Sequence, residues 1–127
     1  MSRKRTKQVF AIIFAFVAAP ALAHETPVDA FADCAGRYSA EMEHAWLLDA
    51  SDADEFQQKR ATFVALLDAS MPARSGRMIL DRRIQAKFAH AQLLQQADLG
   101  QDRTRAQSAR LIAYRHLAAC QKLLLGS

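Results

Sequence analysis

Two cysteines, Cys34 and Cys120, stand 86 residues apart, and the chain has no others. If they bond, an early and a late part of the polypeptide must meet, because a disulfide needs Cα atoms within about 7 Å of each other. Few arrangements of a chain this short allow that. Bonding in turn depends on compartment, since disulfides persist outside the cytosol and are rare within it. Where the chain is sent therefore comes before how it folds.

The first seven residues carry Arg3, Lys4, Arg5 and Lys7 and no acid, and an apolar run, VFAIIFAFVAA, spans Val9 to Ala19. Crossing a bilayer takes roughly 20 apolar residues, so this run is too short for a durable anchor. Pro20 breaks it, and Ala21-Leu22-Ala23 supplies the small-x-small pattern that a signal peptidase cuts. The expectation is a signal peptide over residues 1–23, cleaved after Ala23. It leaves residues 24–127 as one domain, periplasmic or secreted, without a stable membrane anchor and with Cys34 bonded to Cys120.

Removing the leader changes the meaning of the charge. The whole chain has 17 Lys and Arg against 13 Asp and Glu. The leader takes four of the bases, so the remainder balances at 13 and 13, and nucleic acid is not an expected partner. The balance is uneven along the chain. Residues 24–55 hold nine acids and one base, Arg37, whereas residues 56–127 hold twelve bases and four acids. An acidic first helix lying beside basic later helices accounts for this.

Alanine, leucine, glutamine and arginine dominate after the leader, with few β-branched residues, which favours helix. Thr26, Pro27 and Asp29 read as the start of a first helix ending near Asp49, with Phe31, Cys34/Ala35, Tyr38, Met42 and Ala45 on one face. Ser51 and Asp54 repeat the start signal for a second helix carrying Phe56, Phe63, Leu67 and Met71, which Pro72 stops. A third helix is expected from Arg74 or Ser75 to Ala97, with Leu80, Ile84, Phe88 and Ala91 toward the core. Gly100 and Asp102 punctuate before a fourth, whose face is Ala106, Ala109, Ala113, Leu117, Cys120 and Leu124.

Short turns make neighbouring helices antiparallel, so the expected fold is all-α, an up-down-up-down four-helix bundle. Its rival is a three-helix bundle with a long bent element, since Gly76 weakens the start of the third helix. The cysteines separate the two. In four alternating helices, Cys34 early in the first and Cys120 late in the last fall at the same end; three helices put them at opposite ends.

The segment CAGRYSAEMEHAWLL, Cys34 to Leu48, together with the late AACQKLLL, resembles a CAGRxSAxxEHxWL-like segment of small exported bacterial helical proteins of unassigned function. The resemblance implies no activity and carries over no functional residue.

Candidate chemistry is sparse. Cleavage after Ala23 would make His24 the mature N-terminus, where its α-amine and ring nitrogen together suit copper. His116, in the same half of the bundle, would be the second ligand, and copper is the one cofactor considered. His44 and His90 lie at similar heights but point away from the main apolar stripes, so they are not expected to chelate. Glu41 and Glu43 read as solvated surface. No nucleophile, base and orienting acid assemble, so no catalytic residue is assigned. The third helix has a second apolar row, Ile79, Ala86 and Leu93, nearly opposite the first. It is expected to form a homodimer or protein-partner face. The expected role is thus a non-catalytic exported protein with a structural or interaction function, and the alternative is a periplasmic copper binder.

Overall fold

The computed structural model describes residues 25–126; the expected leader, residues 1–23, and His24 lie outside them. Four helices follow one another, α1 (Pro27–Leu47), α2 (Ala53–Ser70), α3 (Gly76–Leu99) and α4 (Arg103–Leu125), and the described residues contain no strand.

The helix starts divide into two that are capped and two that are not. At α1, Thr26 Oγ1 accepts from the Asp29 amide and the Asp29 carboxylate accepts from the Thr26 amide, both at 3.2 Å. Pro27 occupies the first position, where an amide proton has no intrahelical partner to lose. At α4, Asp102 accepts from the Arg105 amide at 3.1 Å. The Ser51/Asp54 signal is not used: α2 begins at Ala53, and the flanking Asp52 makes no side-chain capping bond. Ser75 does not cap α3 either, because its hydroxyl donates to the Pro72 carbonyl and closes the preceding turn instead. Helix α1 ends at Leu47 rather than near Asp49, which has turned into the left-handed region with φ of 53°. Helix α3 continues past Ala97 to Leu99.

Helix α1 is the hub. It packs on α2, α3 and α4; α3 also packs on α4, and α2 rests on α1 alone. One core cluster gathers Ala32, Cys34, Ala35, Tyr38, Phe63, Leu67, Ile79 and Cys120 near the disulfide; a smaller one holds Ala40, Leu94 and Ala113. Tyr38 stacks on Phe63 with centroids 5.8 Å apart. Burying a side chain the size of Phe63 or Ile79 contributes about 1.5–3 kcal/mol.

The Cys34–Cys120 bond is present, with Cα atoms 5.7 Å apart, which selects the four-helix topology over the three-helix one. Ion pairs set the register between α1 and α3. Asp33 and Glu25 take Arg82, Glu43 takes Lys87 at 2.6 Å, and His44 takes Asp98 at 2.7 Å. Residue numbers rise together on both helices, so α1 and α3 run parallel, as alternating helices must. The acidic first helix does lie against a basic third one.

Candidate functional site

The row assigned to a partner face turns inward. Ile79 is buried in the first core cluster, Leu93 packs on the second, and Ala86 faces Gly36 of α1. The reason is backbone proximity. Gly36 of α1 faces α3 so tightly that a Cβ there would collide with the Arg83 carbonyl and come within 3.0 Å of the Ala86 Cβ. Helices this close need small residues at the crossing, and the Ile79, Ala86, Leu93 row is the one with alanine at its centre. Ile79 is therefore a core residue, and the half-buried Ala86 and Leu93 are turned toward the bundle and leave no free apolar row with it.

The converse holds for most of the row expected in the core, of which only Ala91 packs against a core cluster. Leu80 is 52% exposed, Ile84 41% and Phe88 64%. Spaced by four, they share one face of α3. Polar anchors fix this rotation. Arg82, Lys87 and His90 all find acidic partners on α1, and any other rotation would remove them.

The histidines also fall differently from expectation. His90 is 1% exposed, and its Nε2 lies 2.7 Å from Glu41 Oε1. The tautomer with its proton on Nε2 donates to that carboxylate. Glu41, read as solvated surface, is buried in order to receive it. His44 and His90 do not meet, because each takes a carboxylate of the other helix. The missed signal was Glu41-Met-Glu-His44, which places a carboxylate and an imidazole one turn apart on the helix that contacts α3.

His116 lies beside this pair, its ring centroid 5.8 Å from that of His90, and the Nδ1 atoms of both rings are buried without a hydrogen-bond partner among the described residues. Burial is the largest influence on His116 and holds its imidazole below the ordinary value of 6.5, with Arg37 and His90 pushing the same way. The Asp98 carboxyl is lowered chiefly by its hydrogen bond to His44, with Arg110 assisting. Of the two copper ligands expected, His24 lies outside the described residues, and His116 faces His90. Among the described residues no three His, Cys, Asp or Glu side chains group in a way that could hold a metal ion.

A carboxylate-oriented imidazole can act as a base only where a substrate can reach it. The His90 ring is 1% exposed between α1 and α3, and with Glu41, which borders a cavity at the end of the bundle, it works as an interior polar tie. No described helix is long and apolar enough to cross a membrane. No family model matches the chain, and neither does any curated protein or solved structure.

Proposed function

We propose that this chain is an exported, non-catalytic helical-bundle protein that acts by binding a partner protein along the outer face of α3. One observation carries the reading: Leu80, Ile84 and Phe88 stand exposed in a single row although the same helix already buries another apolar row. Burying the half of each side chain that is still exposed against a partner is worth about 1 kcal/mol each, before the costs of association. The leader-like residues 1–23 and the disulfide support export. The α3 face replaces Ile79, Ala86 and Leu93 as the surface of a homodimer or hetero-complex.

A photo-crosslinking residue at position 88, introduced in the producing cell, tests this. The proposal predicts a discrete adduct, either with a second copy or with one other protein. The adduct should vanish when Leu80→Glu and Ile84→Glu are added and persist in a control carrying Gln107→Glu on α4. Failure to form an adduct, or indifference to the two α3 substitutions, contradicts it.

A further inference from the structure

A different surface lies at the end of the bundle where α1 and α3 finish and α2 and α4 begin. Trp46, Leu47 and Leu48 project there in sequence, and Leu99 projects from the end of α3; all four are exposed, Leu47 at 83%. Around Trp46, Leu47 and Leu48 the charge is acidic, whereas Arg103, Arg105 and Arg110 of α4 stand on the Leu99 side, with Arg105 held by Asp102 and Arg110 by Asp98. The segment from Leu47 to Glu55 contains Asp49, Asp52, Asp54 and Glu55 and no base. Glu55 is held by Lys59, but Asp49, Asp52 and Asp54 make no ion pair or side-chain hydrogen bond among the described residues. Asp52 stands at the start of α2 yet leaves its carboxylate unused there.

Beside this apolar tip a cavity of about 190 Å³ enters the bundle between α1, α2 and α3. Its wall combines Glu41, His44, Asp52 and Asp98 with the apolar Leu48, Phe56 and Leu94. His90 takes Glu41, and His44 and Arg110 take Asp98, so Asp52 is the lining carboxylate without an ion pair among the described residues. Helix dipoles do not change the balance: two C-termini and two N-termini meet at this end, so their half-charges cancel in pairs. Side chains decide the sign: with Glu55, Asp98 and Asp102 paired to Lys59, Arg110 and Arg105, the unpaired charges left among the described residues here are Asp49, Asp52 and Asp54 against Arg103, a negative balance.

We infer that this end docks a basic amphipathic segment of another protein, which lays apolar side chains on Trp46, Leu47 and Leu48 and seats one lysine or arginine in the cavity. The long side chains of those residues have an apolar stem for Leu48, Phe56 and Leu94 and a cationic head for Asp52. An anionic membrane does not fit, because the collar of carboxylates would repel it. A second copy presenting the same end does not fit either, since carboxylates would then oppose carboxylates. The surface is separate from the α3 face, and its test leaves Leu80, Ile84 and Phe88 untouched.

Trp46 is the only tryptophan in the chain, so its fluorescence reports on this surface directly. The probe is a synthetic amphipathic helical peptide of leucine and lysine, titrated into the oxidised protein. Controls are a scrambled peptide of equal charge and a leucine–glutamate counterpart. The inference predicts a saturable blue shift with the first peptide alone, weakening as salt is raised. In the variant Asp49→Asn, Asp52→Asn, Asp54→Asn the apparent affinity should fall about tenfold. Ala50→Leu, at an exposed residue lining the cavity, should weaken binding while leaving the circular dichroism unchanged. An equal response to the scrambled or acidic peptide, or an unaltered affinity in the triple variant, overturns the inference. So does a blue shift that grows with protein concentration alone, which would make a second copy the occupant.

Discussion

Gly36 shows how a single residue can decide the arrangement around it. In an ordinary helix, replacing glycine with alanine gains about 1 kcal/mol in propensity. At Gly36 the new methyl would collide with the Arg83 carbonyl and crowd the Lys87 nitrogen at 2.9 Å. Those are backbone atoms, which a rotamer change cannot move, and overpacking of this kind costs about 1–3 kcal/mol. Gly36→Ala should therefore lower the urea midpoint, and an unchanged or raised midpoint would show that the helices are not so close. The Glu41–His90 pair makes a second prediction at this scale. Glu41→Ala leaves a buried imidazole without its acceptor and should cost about 1–3 kcal/mol. The double variant Glu41→Leu, His90→Leu removes donor and acceptor together and should recover most of that loss. A double variant less stable than the single one would point to a role for His90 that an interior tie does not explain.

Among the elements, α3 separates what was legible in the sequence from what was not. The existence of four helices, the caps at Thr26 and Asp102, and the buried alanines of α4 could all be read locally, because caps and periodicity act within a few residues. The rotation of α3 could not. Its two apolar rows are equally periodic, and the larger side chains argued for the wrong one. The deciding facts are the glycine on α1 and the acids that meet Arg82, Lys87 and His90, and these depend on which helix lies opposite. The rotation is testable by stability alone. Ile79→Ala should cost about 2–5 kcal/mol, whereas Phe88→Gln, on the outer row, should stay within about 0.5 kcal/mol. Comparable losses at the two positions would restore the original assignment of faces.

The molecule as a whole responds to pH through groups spread over its interior and surface. The folded-state pKa of His116 is depressed, so the neutral ring contributes stability that is complete above its ordinary value of 6.5 and is lost as pH falls through the lowered one. That of Asp98 is depressed as well, and its contribution is complete above the ordinary 3.8 and disappears below it. Acidification should therefore lower the melting temperature in two stages. His116→Asn should flatten the first stage, and a first stage of unchanged steepness would assign it to another group.

The disulfide belongs to this largest scale too. Closing an 86-residue loop removes denatured-state entropy worth about 4–5 kcal/mol in the loop model, against a total of about 5–15 kcal/mol for a typical domain. Both the export reading and the alternation of the four helices meet in that one bond. Mass spectrometry of the exported, unreduced protein tests them together. The account predicts a chain beginning at His24, a Cys34–Cys120 linked peptide and no alkylatable thiol. A retained leader, or two free thiols, would contradict it.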